Sequence, residues 1–279
     1  MGLAIPGLCL TLLVLLAFAY TYWHPLSKHH LDRVSFRLLV YALIANLVFG
    51  ITWVLGPVAA VRPACGFVGF LDNLSLMFSA GMFFCMALNL QLVLVHGFNG
   101  QQMEKFYILG TALVCLVCNV IPYAAGEIGW NDQVAACWIA NPDETAVLRW
   151  VIGTESFWVF FMVSGEVLAF LSIVGYIVSY EIKTRRILPR DASSKTTAFS
   201  VDTQWGAHRS PIMLYRNVVL RIGLYPLLSC IINFSTSTLD LYSLKNPELT
   251  ELNWRLDIVG SEALQLTAGS GRVFKANRW

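Results

Sequence analysis

The sequence predicts an all-α fold, a polytopic bundle of transmembrane helices, on three observations. Of the 279 residues, 57% are hydrophobic and only 13% charged, and mean hydropathy is +0.62. A soluble domain carries about twice that charge. The apolar residues come in unbroken blocks rather than alternating stripes, which excludes an outer-membrane barrel. Lys and Arg gather in alternate loops, as in a chain that weaves through a bilayer. The net charge of +2 implies no acidic partner, and no stretch resembles a nucleic-acid-binding module, so the expected partner is the lipid bilayer rather than nucleic acid.

The elements follow in order within a bundle of residues 1–240. Residues 1–23, MGLAIPGLCLTLLVLLAFAYTYW, lack a basic leading region, and their apolar run is too long for a signal peptide. They read as a retained first span. Pro6 stands where a myristoylation signal needs Ser or Thr, so Gly2 is read as unacylated. Five further blocks, 36–60, 66–96, 106–125, 152–180 and 215–239, are each long enough for a ~30 Å hydrocarbon core at ~1.5 Å per residue.

The first connection carries Lys28, Arg33 and Arg37; the loop after the fifth span carries Lys183, Arg185, Arg186, Arg190, Lys195, Arg209 and Arg216. The alternate loops offer only Arg62, Arg149, Lys245 and Arg255. The positive-inside rule therefore puts the N-terminus outside and the basic loops in the cytoplasm. Residues 188–210, rich in Ser, Thr, Asp and Lys, are expected to form a flexible cytoplasmic loop. Its serines are candidate phosphorylation sites, and an unmodified linker fits equally. No internal repeat is visible, which weighs against a transporter built from duplicated halves.

Of the seven cysteines, Cys9, Cys85, Cys115, Cys118 and Cys230 fall inside apolar blocks and read as small packing residues. Cys65, at the outer mouth of the third span, and Cys137, in the outer loop before the fifth, both face an oxidising compartment. A disulfide between them is the natural pairing, two free thiols the alternative.

Ionisable groups in a span cost at least ~2.5 kcal/mol at the centre, so each needs a reason. Asp72 and Asn73, in GFLDNLSLMF, and Glu155, in IGTESFW, sit near the outer ends of the third and fifth spans. With Trp138 and Trp158 they are candidates to line an outward-facing pocket; interhelical hydrogen bonding for Asn73 and interfacial anchoring for the tryptophans are the plainer readings. Glu166 falls near mid-depth of the fifth span and joins the pocket candidates. Arg221 lies about two turns into the sixth from the inner side, ~10 Å shallower than Glu166, and is expected to reach back to the cytoplasmic face rather than pair with it. Pro226 should kink the sixth span. Asn46, Asn89 and Asn119 are expected to hydrogen-bond between helices. HPLSKHH, from His24, looks like a histidine box, but only His96 and His208 remain elsewhere. The ligand count supports no metal, and no cofactor is implied.

These residues together resemble a family. HPLSKHHLDRVSFRLLVYALIANLVFG is similar to the first cytoplasmic loop and second helix of fungal G-protein-coupled receptors of the cyclic-AMP-receptor-like and glucose-sensing group, more distantly related to the secretin-like class. Cys65 atop the third helix, Cys137-Trp138 in the second outer loop, the run from Trp150 to Trp158, and RIGLYPLLSCIINF as sixth helix extend the likeness over about residues 1–240. The resemblance implies a plasma-membrane, seven-helix receptor that takes an extracellular small ligand and activates a heterotrimeric G protein. It implies a Cys65–Cys137 bridge, and a G-protein-facing surface around His96, Lys183, Arg185, Arg186, Arg216 and Arg221.

The tail departs from the family. NWRLDIVGS matches the start of a seventh helix, yet the chain continues EALQLTAGSGRVFKANRW. Arg255, Asp257 and Glu262 would each cost up to ~3 kcal/mol at mid-membrane, and Gly269, Ser270 and Gly271 break helix propensity. The expectation for 240–279 is an outer loop and a seventh span begun but not completed, so that the chain has six clear spans and a degenerate seventh. Such a receptor could fail to signal alone and act as a dimer with an intact relative. A small-solute transporter or channel is the competing class. No nucleophile–base pair or metal set suggests an enzyme.

Overall fold

A computed structural model describes residues 4–23, 34–55, 64–131, 136–187 and 211–245. They form α1 (Ala4–Trp23), α2 (Val34–Leu55), α3 (Cys65–Val95), α4 (Gly100–Ala124), a hairpin of β1 (Ile128–Asn131) and β2 (Ala136–Ile139), a short α5 (Glu144–Val151), a π-helical turn (Ile152–Ser156), α6 (Phe157–Ile187) and α7 (Pro211–Lys245). Among the described residues five stretches are long and apolar enough to cross a bilayer: Ile5–Trp23, Val34–Leu55, Cys65–Val95, Gly100–Ala124 and Thr145–Tyr180, with mean hydropathy between 1.9 and 2.2. The chain is a multi-pass helical membrane protein. The sixth expected span falls within α7, of which only the backbone is described before Pro226. The loop 188–210 and the tail 246–279 lie outside the described residues.

Two helices begin earlier than hydropathy alone suggests, because polar caps extend them past the apolar block. The Asn99 side chain accepts from the Gln101 N–H at 3.2 Å and starts α4 at Gly100 rather than 106. The Asp143 carboxylate accepts from the Thr145 N–H at 3.1 Å and starts the fifth membrane helix at Glu144 rather than 152. Gly126 has φ +76°, and its N–H donates to Tyr123 O, turning the chain out of α4 into the hairpin.

Helix α3 is the axis of the bundle, packed against α2, α4, α6, α7 and both strands, while α1 packs on α2. Lipid is as apolar as Leu, so close approach and hydrogen bonds rather than water exclusion hold such helices together. Gly81 lets α3 lie against Thr111 of α4, and Gly165 lets α6 lie against Phe84 of α3. Leu38 and Ala42 of α2 join Met82, Phe83 and Met86 of α3 and Tyr107 of α4 in one buried cluster. Several hydroxyls in the spans return their protons to their own helix: Thr11 donates to Gly7 O, Ser164 to Phe160 O and Ser235 to Ile231 O.

Pro226 is buried inside α7. Four of the five unbridged cysteines, Cys85, Cys115, Cys118 and Cys230, are buried packing residues, while Cys9 is exposed.

Candidate functional site

The end of the bundle away from the Lys- and Arg-rich loops carries a roof, and a polar cluster lies beneath it. The roof is the antiparallel hairpin, with Gly129 opposite Trp138 and Trp130 opposite Cys137. Its sequence, IGWN and ACWI, places Ile128 and Asn131 and then Cys137 and Ile139 inward. Cys137 is disulfide-bonded to Cys65 in the first turn of α3, with Cα atoms 5.2 Å apart. The helix face below is glycine: a Cβ at Gly66 would lie 3.1 Å from Ile128 O, and one at Gly69 would lie 2.9 Å from Cys137 O. Strand backbone therefore rests directly on helix backbone. The Asn131 amide donates to Ile139 O at 2.8 Å, and the Asn141 amide donates to the Glu127 carboxylate at 2.6 Å. These bonds close the hairpin and its exit.

Asp72 lies two turns below Cys65 on α3. It accepts from the Thr52 hydroxyl of α2 at 2.6 Å, and it is close enough to Glu155 for the two carboxyls to interact. Glu155 sits on the π-helical turn, where the helix takes an extra residue and re-aims its side chains. Trp158, one turn on, packs against Met77, Cys115 and Cys118. Asn73 is half-buried beside Asp72. The structure thus brings Asp72, Glu155 and the α2 residue Thr52 together. Sequence reasoning missed Thr52, since a Thr inside an apolar block looks like any hydroxyl bonded to its own helix.

Two other pocket candidates lie elsewhere. Trp138 belongs to the roof, where it packs with Trp150, Leu241 and Leu244 around Ile139, Val147 and Val151. That cluster also pins the end of α7 to the roof. Glu166 is three turns deeper than Glu155 and only 2% exposed, and its Oε2 has no hydrogen-bond partner. The Cys85 thiol of α3 and the Cys230 thiol of α7 are near enough to interact with its carboxyl. An open groove between α6 and α7 is lined by Phe160, Val167, Leu168, Ile231 and Phe234. Its two hydroxyls, Ser164 and Ser235, are already spent on their own helices, so it offers nothing to a polar solute.

At the base-rich end, Arg37 of α2 and Glu104 of α4 form an ion pair at 3.1 Å. The Asn89 amide of α3 donates to the Ser35 hydroxyl of α2 at 3.3 Å. His96 is exposed at the end of α3, and Lys183 is exposed near the end of α6. Arg185 and Arg186 occupy the last turn of α6, and Arg216 and Arg221 the first three turns of α7; their side chains lie outside the described residues. Among the described residues no group of three or more His, Cys, Asp and Glu could hold a metal ion.

Of the three asparagines, Asn89 bonds between helices, and the Asn119 amide donates to Cys115 O at 2.8 Å and contacts Met77 Sδ of α3 at 3.6 Å. Asn46 has no hydrogen-bond partner among the described residues. No protein-family model and no curated sequence matches the chain.

Proposed function

We propose that the chain is a plasma-membrane receptor of the G-protein-coupled type, with its N-terminus outside, that takes a small extracellular ligand beneath the roof and passes the signal to a heterotrimeric G protein through its base-rich end. The observation that carries this reading is the roof itself: a disulfide-tied hairpin laid on the top of α3, directly above Thr52, Asp72 and Glu155. A lid clamped to the bundle fixes the geometry of what lies under it, as a preformed ligand site requires. The two carboxyls and the half-buried Asn73 and Trp158 supply hydrogen-bonding and apolar contacts. Lys183 and His96, exposed at the opposite end, fit a docking surface for a partner in the cytoplasm. The excess of Lys and Arg at that end supports the orientation.

The test is nucleotide exchange on purified G protein by the full chain in lipid nanodiscs, screened against small-molecule libraries. Ligand-dependent exchange that is lost in Asp72→Asn and Glu155→Gln supports the reading. A tag on Trp279, reached only after permeabilisation, supports a complete seventh crossing. A tag reached on intact cells, with signalling only on co-expression with an intact relative, supports the damaged receptor that acts as a dimer.

One observation favours a second class. Polar groups continue below the roof cluster, with Asn46, Ser79 and Glu166 buried and lacking partners for side-chain polar atoms. A small-solute transporter or channel needs such groups through the midplane. Solute uptake into sealed vesicles containing the chain, abolished by Glu166→Gln, would replace the receptor reading.

A further inference from the structure

We propose that the π-helical turn Ile152–Ser156 is a spare residue that travels along its helix, and that its position sets whether Glu155 faces Asp72. Only the use of that movement depends on the ligand site proposed above. In an α-helix each N–H bonds four residues back; here the Phe157 N–H donates to Ile152 O, five back. The backbone on both sides is regular helix, with Val151 at φ −58°, ψ −46° and Phe157 at φ −58°, ψ −45°. One residue more than a regular helix needs is thus fitted in without breaking it.

The spare residue is trapped because the helix is held on both sides of it. Above, Val147 and Val151 pack with Ile139 of the roof, joined by Trp150 and by Leu241 and Leu244 of α7. Below, Val159 and Val163 pack with Cys230 of α7, and Gly165 lies against Phe84 of α3. Each residue advances an α-helix by about 100° and ~1.5 Å. Absorbing the spare one would turn one anchored segment against the other by that amount, which both clusters oppose. Travel costs far less. Each step trades one backbone hydrogen bond for another of the same kind, so the side chains set the cost.

Upward the path is closed at Trp150 and Val151, which belong to the roof cluster. Downward it is open as far as Val159, and between the two anchors only Ser156 is buried. Ile152 and Gly153 are exposed, and a Cβ on Gly153 would meet nothing within 4 Å. A residue that the defect passes is re-aimed by about 100°. Those passed include Glu155 and Trp158, both candidates for the ligand site. In its present place the turn brings Glu155 within interaction range of Asp72 and leaves Trp158 on Met77. With the defect lower, Glu155 turns away from Asp72 and Trp158 from Met77, while the roof and the rest of α6 keep their places. A ligand held between the two carboxyls therefore selects one position of the turn.

The test uses the full chain in lipid bilayers, with ¹³C at the Glu carbonyls and ¹⁵N at the Ser amides. Glu155–Ser156 is the one Glu–Ser step in the sequence, so solid-state NMR reads that peptide alone. The expected result is two lines, or one line broadened by exchange, since helix register shifts take microseconds to milliseconds. A single sharp line at every temperature at which the chain stays folded overturns the proposal. Deleting Gly153 removes the spare residue and should leave one sharp line with the Cys65–Cys137 bridge still formed; exchange that survives the deletion also overturns it. Asp72→Asn should change the ratio of the two positions by about twofold or more, because coupling between the sites is reciprocal. A ratio that does not move breaks the link to Asp72 and with it the proposal. Should the deletion not fold, the wild-type spectrum and the Asp72→Asn ratio decide. These spectra need neither ligand nor G protein, so their failure is distinct from a failure of ligand-dependent nucleotide exchange.

Discussion

The two ends of the bundle are held by different means. At the roof end a covalent bridge spans 72 residues of sequence, strand backbone lies on a glycine face of α3, and a second cluster ties α5, β2 and α7 together. At the base-rich end the described contacts are single polar pairs, Arg37 with Glu104 and Asn89 with Ser35, above an apolar cluster. A covalent tie with backbone-on-backbone packing has one geometry. Single side-chain pairs can exchange partners at little cost. The roof end is thus built to keep a shape and the base-rich end to change one, which is the division a receptor of the proposed kind needs.

The largest expected effect comes from cutting the bridge. Cys65→Ser or Cys137→Ser should cost about 2–5 kcal/mol, and the protein should show a mobility shift on reduction that both variants lack. Thermal unfolding with and without reductant measures the loss; equal Tm in both conditions would put the roof's rigidity elsewhere. Next comes the glycine face. Gly69→Ala places a Cβ 2.8 Å from Ile128 Cγ2 and 2.9 Å from Cys137 O, so the hairpin must lift, at about 1–3 kcal/mol. Gly110→Ala on α4 meets nothing within 4 Å and should be neutral or stabilise by about 0.5–1 kcal/mol. If the two alanines behave alike, the close approach is not what seats the roof.

Smaller again is Thr52→Val, which removes the 2.6 Å hydrogen bond to Asp72 and should cost about 1–2 kcal/mol. Ligand-dependent exchange should fall further in this variant than stability alone explains, since Asp72 loses the partner that orients it. The smallest effect on stability belongs to the base-rich end. Arg37 is more than a third exposed, so a double-mutant cycle of Arg37→Ala with Glu104→Gln should give a coupling of about 1 kcal/mol or less. The same variants should change basal nucleotide exchange while leaving the reduction-dependent mobility shift intact. A coupling as large as the disulfide's would erase the contrast between the ends.

The helical membrane character and the places of five long apolar helices were legible in the chain because a span needs about 20 apolar residues wherever it packs, while the seventh crossing falls outside the described residues. The pairing of Cys65 with Cys137 was legible too, since Cys65 opens the third span and Cys137 lies in the loop before the fifth, at the same end of the bundle. Helix starts were misplaced by six to eight residues at Gly100 and Glu144, because Asn99 and Asp143 cap turns that lie beyond the apolar block. The hairpin went unseen: IGWN and ACWI are four residues each, too short to stand out between helices. Glu104, just outside the apolar block expected at 106–125 and not singled out from the sequence, is buried in α4 and paired with Arg37. The candidate pocket was half legible. Asp72 and Glu155 announced themselves as charges in apolar surroundings, whereas Thr52 did not, and Trp138 and Glu166 belong to other clusters.

Composition and block length by themselves determined that this chain is a helical membrane protein. Which face of each helix is buried was decided only by the tertiary structure. In water a helix shows its inner face as an apolar stripe, but in lipid both faces are apolar and the pattern carries no such mark. The buried side of α4, Glu104, Tyr107, Thr111, Cys115, Cys118 and Pro122, is if anything the more polar one. Its meaning appears only when Thr111 meets Gly81 and Cys85 of α3 and Glu104 meets Arg37 of α2.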